Sequence, residues 1–121
     1  MRPILLGLLA TALLTEAGNA QPDTYSANHL LPACKEFLEA KDKPPSLTSA
    51  FERGICVGTV ETFSLLVRIL PPPLNSCPPN GVTTGQEVRV IIAYIEARPQ
   101  RMHEDFKVLA LEAWHQAWPC K

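Results

Sequence analysis

The chain has no strong charge imbalance, no long hydrophobic run and no basic cluster. Its 121 residues include 11 Lys and Arg against 12 Asp and Glu, for a formal net charge of −1, so nothing favours nucleic acid or an anionic membrane surface as a partner. The longest apolar run, from Ile4 to Leu14, is about half the length of a membrane-spanning helix. These absences argue against nucleic-acid binding and against membrane insertion.

The sequence also lacks the residue patterns of common catalytic and metal sites. It has no serine elbow, no phosphate-binding glycine loop and no Cys-x-x-Cys pair. His103 and His115 lie on adjoining rather than identical helix faces, which does not suit a metal site. Glu104, Asp105 and Glu112 have a spacing typical of a solvated helix face. We therefore expect neither an enzyme nor a bound metal or other cofactor.

Residues 1–20 have the three parts of a secretory signal peptide. Arg2 gives a basic start, an apolar run follows, and small residues at Gly18 and Ala20 mark a cleavage site after Ala20. An uncleaved anchor is the alternative. No cysteine stands at the cleavage point, so a lipid-anchored protein is not indicated. The prediction is an exported mature chain of one domain, residues 21–121.

Four cysteines remain in the mature chain: Cys34, Cys56, Cys77 and Cys120. In an oxidising compartment an even number of cysteines in a short domain is typical of disulfides, and four cysteines allow three pairings. If the first two helices are antiparallel, Cys34 and Cys56 approach each other, which leaves Cys77 to pair with Cys120. We predict this connectivity, and it leaves no free thiol for nucleophilic catalysis.

Helical periodicity and caps predict an all-α bundle of about four helices. The first helix is predicted over His29–Ala40, with Asn28 as its N-cap and Pro32 in its first turn. Ser46 is the predicted N-cap of a long second helix that reaches about Leu70, because apolar and small residues recur there at steps of three and four.

The second half of the chain predicts two further helices. Thr83 and Gln86 have the spacing of a capping box, which favours a helix over a strand for the β-branched run Val88–Ile92. Pro99 fits the first turn of a fourth helix, which Pro119 ends.

Two features of these helices have more than one interpretation. Gly54 and Gly58, one turn apart in the second helix, indicate either close approach of another helix backbone or a kink. Trp114 and Trp118 are spaced for packing against a neighbouring helix, with a binding surface as the alternative.

The segment from Pro71 to Gly81 is dense in proline and cannot be helical. A stiff loop of this kind loses little entropy when a partner binds, so we predict a recognition element, with Leu74 and Asn75 as candidate partner-binding residues. The alternative is a spacer between helices.

The C-terminal half carries a family resemblance. The motifs are the run Cys77–Gln86, the run Val90–Ile95 and the terminal Trp118-Pro-Cys120; Leu30-Leu31 ahead of Cys34 and the segment Gly54–Gly58 match the same layout. Together they resemble the Tai/Rap family of type VI secretion amidase immunity proteins, over essentially the whole mature chain.

The resemblance implies a small helical periplasmic protein that forms a homodimer and inhibits a peptidoglycan amidase toxin by occluding its active site. Thr59, where an aromatic residue is usual, and the triple proline 71–73 depart from the family's pattern, so no contact residue is transferred from the family. A general periplasmic stress or chaperone-like protein is the alternative function, although 12 acidic residues are few for an acid-activated chaperone.

Overall fold

The computed structural model describes residues 25–39 and 44–121, which form four α-helices. They are α1 (Ala27–Leu38), α2 (Leu47–Leu66), α3 (Thr84–Glu96) and α4 (Phe106–Ala117), with a short 3-10 turn at Pro99–Arg101. The described residues contain no strand beyond one isolated bridge between Ser26 and Asp105. The predicted all-α fold is confirmed, and the predicted leader, residues 1–20, lies outside the described residues.

The first helix begins two residues earlier than its sequence predicts. Ser26 is its N-cap residue in extended conformation, and Ala27 is its first helical residue. Pro32 therefore lies in the second turn and not in the first. Because proline has no N–H, it gives no backbone hydrogen bond to the carbonyl of Asn28, four residues before it.

The caps of α2 and α3 are confirmed. Ser46 Oγ accepts a hydrogen bond from Ser49 N–H at 3.1 Å. Thr83 Oγ1 accepts from Gln86 N–H at 3.3 Å, and Gln86 Oε1 accepts from Thr83 N–H at 2.9 Å. Each cap satisfies backbone donors that the first turn of a helix leaves without partners, so it fixes where the helix begins.

The fourth helix begins later than predicted. Pro99 starts the 3-10 turn, and α4 begins only at Phe106, where Asp105 Oδ1 accepts from Lys107 N–H at 2.8 Å. The start of α4 is tied to the chain before α1, since Phe106 N–H donates to the Tyr25 carbonyl at 2.8 Å. The prediction took the proline as the start of the helix, whereas the side-chain cap at Asp105 marks where α4 begins.

Two helix pairs, α1 with α2 and α3 with α4, pack around one core. Trp114 is completely buried, so its predicted packing role is confirmed. The core combines α1, α3 and α4 with one side of α2, and its fully buried large side chains are Leu30, Cys34, Cys56, Val60, Val67, Val88, Ile91, Ile95, Phe106, Leu109 and Trp114.

Both predicted disulfides are present. Cys34 is bonded to Cys56, with a Cα–Cα distance of 5.5 Å, and Cys77 to Cys120, with 5.0 Å. The first bond joins α1 to α2 inside the core, and the second joins the proline-rich loop to the C-terminus. The two bonds therefore brace different parts of the fold.

Candidate partner-binding surface

The proline-rich loop, residues 71–81, is fixed to the helices at several points. Ser76 N–H donates to the Val67 carbonyl at 3.1 Å, and Cys77 N–H donates to the Trp118 carbonyl at 2.8 Å. Ser76 is completely buried, so the middle of the loop lies inside the fold. Together with the Cys77–Cys120 bond, these contacts hold the loop between the end of α2 and the end of α4.

Side chains from both helices add to this anchoring. The Nδ1 atom of His115, on α4, lies 2.7 Å from the Asn75 carbonyl, and Arg68 donates to the Pro78 carbonyl. This contact gives His115 a role in holding the loop, which its position in the sequence did not indicate. The loop is therefore preorganised, which reduces the entropy that it would lose on binding.

The two candidate partner-binding residues differ in accessibility. Leu74 is 40% exposed and its N–H donates to the Pro71 carbonyl at 2.9 Å, beside the exposed prolines 71–73. Asn75 is partly buried, and its carbonyl is occupied by His115. Leu74 is thus the better placed of the two for contact, and both remain predictions as partner-binding residues.

Sequence reasoning missed an exposed apolar face on α2. We call it the outer stripe; it lies opposite the core face, which contains Cys56 and Val60. Its large members are mostly exposed: Leu47 at 89%, Phe51 at 68%, Leu65 at 81% and Ile69 at 77%. At steps of three and four, the outer stripe comprises Leu47, Phe51, Gly54, Gly58, Thr62 and Leu65 on α2, and it continues to Ile69 in the turn that follows the helix. The spacing was correctly taken as helical, but spacing alone does not say which face is buried.

The two glycines line a surface groove of about 450 Å³. Tyr25 and Lys107 also line it, with the Lys107 ammonium 4.6 Å from the centroid of the Tyr25 ring. A Cβ atom built at Gly54 or Gly58 meets no heavy atom of the described chain within 4 Å. No other helix of the described chain therefore approaches these glycines closely.

A polar cluster joins the 3-10 turn to α3 and α4. Arg101 donates to Glu104 at 2.6 and 2.7 Å and to Glu112 at 2.6 and 3.1 Å, and Tyr94 Oη donates to Glu112 at 2.8 Å. The hydrogen bonds from Arg101 lower the pKa of both carboxyl groups, against the opposing effect of burial. The predicted ordinary solvated face is therefore wrong for Glu104 and Glu112. Both carboxylates bind Arg101, and we call this arrangement the Arg101 clamp.

Glu87, on α3, is a buried carboxylate at the junction with α2. It is 4% exposed and accepts a hydrogen bond from Ser64 Oγ at 2.7 Å. Burial raises its pKa, and the Ser64 hydrogen bond and the positive charge of Arg68 oppose that rise. Because Ser64 lies on α2, this hydrogen bond indicates a role for Glu87 in packing α2 against α3.

Reactive groups do not converge in the described part of the chain. All four cysteines are in disulfides. His29 lies 3.7 Å from Glu52, whereas His115 lies at the loop, and no group of three or more His, Cys, Asp or Glu among the described residues could hold a metal ion. The features of the described residues that suit binding are the exposed apolar outer stripe and the anchored proline-rich loop.

These observations define a small helical protein, braced by two disulfides, whose accessible features suit contact with another macromolecule. Within residues 25–39 and 44–121, no helix is both long enough and apolar enough to cross a membrane.

The sequence profile of the Rap1a immunity proteins matches residues 26–120. Because the match covers most of the chain, the protein belongs to this family, and the resemblance to Tai/Rap immunity proteins is confirmed. Searches of curated proteins and of solved structures gave no significant match.

Proposed function

We propose that this protein is a periplasmic immunity protein that binds a type VI secretion effector, a peptidoglycan amidase, and inhibits it by occluding its active site. Membership of the Rap1a immunity proteins supports the coarser part of this statement, namely that the partner is a protein effector. The amidase and the occlusion are the finer parts, and they come from the resemblance of the Cys77–Gln86 run to amidase immunity proteins.

The observation that supports occlusion is the anchored loop, residues 71–81. Its backbone is held by the Cys77–Cys120 bond and by contacts to α2 and α4, while Leu74 stays 40% exposed. A rigid loop that exposes one apolar side chain can fill a cleft with little ordering cost. Apolar side chains that fill a pocket at the centre of an interface often provide much of its binding energy. We propose Leu74 as such an anchor, with Asn75 beside it.

The proposed compartment is the periplasm. The two disulfides indicate an oxidising environment, as is usual for exported proteins. Export by a signal peptide over residues 1–20, with cleavage after Ala20, is part of the proposal. N-terminal sequencing of the protein recovered from the periplasm, with Gln21 as the expected first residue, tests it.

The proposal also includes inhibition without catalysis, and a homodimer. Inhibition by binding needs no reactive group of the protein itself. It needs only a complex with the enzyme that dissociates slowly. The homodimer follows from the family resemblance.

A protection assay tests the proposed function. A candidate amidase effector from the same genome is exported to the periplasm of a sensitive strain, with or without this protein. We expect lysis without the protein and survival with it. The Leu74→Asp variant should lose protection and bind the effector at least about 30-fold more weakly, as for a central interface anchor.

Val108→Asp is the matched control, because Val108 is similarly exposed, at 45%, and lies on α4 away from the loop. It should protect like the unmodified protein. Failure to protect against every candidate amidase, with no complex detected between purified proteins, would refute the proposed function.

The chaperone-like alternative has one observation in its favour, the exposed outer stripe of α2. It predicts that the purified protein suppresses aggregation of unfolded client proteins, most strongly at low pH. An aggregation assay at pH 7 and pH 4 separates the two functions, because an immunity protein should have no effect on unrelated clients.

A further inference from the structure

Helix α2 is apolar on two opposite faces. Its inner face contributes Cys56 and Val60 to the core, while Leu47, Phe51 and Leu65 on the outer stripe are each at least 68% exposed. A helix that is apolar all round is normally buried on all sides. A contiguous exposed apolar surface of this kind marks an interaction site. The outer stripe therefore lacks a partner within the described chain.

By spacing and by size of side chain, the order along the outer stripe is the same in both directions, with Ile69 lying three residues beyond the last residue of α2. Two large residues, Leu47 and Phe51, stand at one end and two more, Leu65 and Ile69, at the other, with Gly58 midway between them. Gly54 and Thr62 lie at equal distances on either side of Gly58. A symmetric dimer presents the same patch from both subunits, so its surface must be complementary to itself. This palindromic order meets that requirement, whereas an unrelated partner would not impose it.

We propose that the outer stripe binds a second copy of this chain, with α2 antiparallel to its counterpart and the two-fold axis at Gly58. Phe51 of one copy then packs against Leu65 of the other, and Leu47 against Ile69. The inference assigns a surface to the homodimer of the proposed function and rests on it, but it does not depend on the identity of the effector.

The glycines explain how the two helices come close enough. Small residues one turn apart let helix backbones approach closely. At Gly54 and Gly58 no heavy atom of the described chain lies within 4 Å of a built Cβ, so the space in front of them is open to another molecule. In the proposed pair, the two helices come closest at the glycines in the middle of the stripe, and the large side chains at either end of the stripe pack on both sides of that point.

The available area is in the range that a dimer needs. The 20 residues of α2 make a helix about 30 Å long and about 10 Å across. Half of that cylinder is about 500 Å² per copy, or about 1,000 Å² for the pair, which reaches the lower limit of specific interfaces. The stripe itself carries no charged side chain, so pairing leaves no charge of the stripe buried without a partner.

The first experiment measures mass in solution. The mature protein, residues 21–121, is examined by size-exclusion chromatography with light scattering over a range of concentrations. We expect a dimer for the unmodified protein and a monomer for Phe51→Glu and for Leu65→Glu. Val108→Glu, a similarly exposed change on α4, should stay dimeric. Circular dichroism checks that each variant is folded, which is expected because the changed side chains are exposed.

The second experiment tests the antiparallel register with a short bis-maleimide. The protein has no free thiol, so the reagent reacts only at introduced cysteines. Gly58→Cys should link to itself, since Gly58 lies on the axis. Phe51→Cys alone should not, because in the antiparallel pair the two copies of that position are about 21 Å apart along the helices. A mixture of Phe51→Cys and Leu65→Cys should link readily.

These outcomes separate the inference from the proposed function. Linking of Phe51→Cys to itself, or a dimer that persists in both glutamate variants, would overturn the proposed interface and leave the homodimer standing. A monomer at all concentrations would overturn both. Confirmed links combined with failure of the protection assay would leave the interface intact and remove only the effector-binding function.

Discussion

Gly54 and Gly58 lie inside a helix although glycine has a low helix propensity. Both lie inside α2, where glycine is less favourable than alanine by about 1 kcal/mol because it loses more backbone freedom. Both are exposed, with no heavy atom of the described chain close to a built Cβ. Nothing within the described chain requires glycine there, which supports the proposed contact with a second copy.

Replacing Gly58 with alanine should therefore stabilise the isolated subunit. We expect the free energy of unfolding to rise by about 0.5–1 kcal/mol in urea denaturation at a concentration where the protein is monomeric. Gly81→Ala is the matched control of opposite sign. Gly81 has φ 88°, a conformation that alanine adopts only with strain, so this change should destabilise the protein. If Gly58→Ala also destabilises the monomer, an unseen intrachain role for Gly58 must exist.

Glu112 and Glu87 are expected to respond to pH in opposite directions. The pKa of Glu112 is lowered by Arg101, so its charged form stabilises the fold above the ordinary carboxyl pKa, and this contribution is lost as the pH falls through the lowered value. The pKa of Glu87 is raised by burial, so its charge costs stability above the raised value, and protonation at lower pH relieves that cost.

Glu112→Gln tests the first of these effects. At pH 7 we expect a loss of about 1 kcal/mol in the free energy of unfolding, because partial exposure weakens the charged hydrogen bonds to Arg101. The difference from the unmodified protein should shrink from pH 7 to pH 3, because a growing fraction of Glu112 becomes protonated and then lacks the charge that Gln also lacks. Glu96→Gln, in an exposed pair with Lys35, should change stability little at either pH. An equal loss at both pH values would exclude the charge of Glu112 as the cause.

At the scale of single elements, the caps decide where helices begin. The reciprocal hydrogen bonds of Thr83 and Gln86 satisfy two backbone donors at the start of α3, directly after the proline-rich loop. The cap therefore fixes both the first turn of the helix and the point at which the loop ends.

Thr83→Ala removes one half of this capping box. We expect a loss of about 1 kcal/mol, measured by thermal unfolding with circular dichroism. Thr48→Ala is the control, because Thr48 is an exposed residue in the first turn of α2 and is not its N-cap. A comparable loss in both variants would mean that the loss at Thr83 does not come from the cap.

The same reasoning explains the misplaced start of α4. Pro99 suits a first helical turn, and it does begin a turn, but that turn is 3-10 and ends at Arg101. The chain is then fixed by contacts that no local pattern specifies: Asn28 N–H donates to the Met102 carbonyl at 2.7 Å, and Arg101 binds Glu112. These long-range contacts hold the segment out of the helix until the Asp105 cap.

At the scale of the whole molecule, the two disulfides have distinct effects. They close chain segments with sequence separations of 22 and 43 residues. By the chain-entropy estimate, each contributes roughly 3–4 kcal/mol by restricting the unfolded chain, which is a large part of a small domain's stability. The Cys34–Cys56 bond is buried in the core, whereas the Cys77–Cys120 bond holds the loop at the surface.

Removing one disulfide at a time should separate stability from partner binding. Cys34→Ala with Cys56→Ala, and Cys77→Ser with Cys120→Ser, should each lower the free energy of unfolding by roughly 3–4 kcal/mol in urea denaturation. Where both remain folded, the second variant should bind the effector more weakly than the first, because it loosens the loop. Equal affinity in the two variants would argue against the loop as the binding element.

The sequence by itself determined the helical fold, the caps of α2 and α3 and the family, because these depend on local spacing and on motifs along the chain. The four cysteines allow three disulfide pairings. Choosing one of them required the further assumption that the first two helices are antiparallel. Leu74 was also predicted from the sequence as a candidate partner-binding residue. That prediction needed no tertiary structure, because proline restricts the backbone of a loop wherever the loop lies in the fold.

Only the tertiary structure decided which side of α2 faces the core. Both sides carry apolar residues at helical spacing, so periodicity identifies a helix without orienting it. The Arg101 clamp likewise joins residues 11 positions apart across the start of α4. Burial and long-range pairing depend on which other elements pack around a residue. A local sequence pattern does not specify those elements.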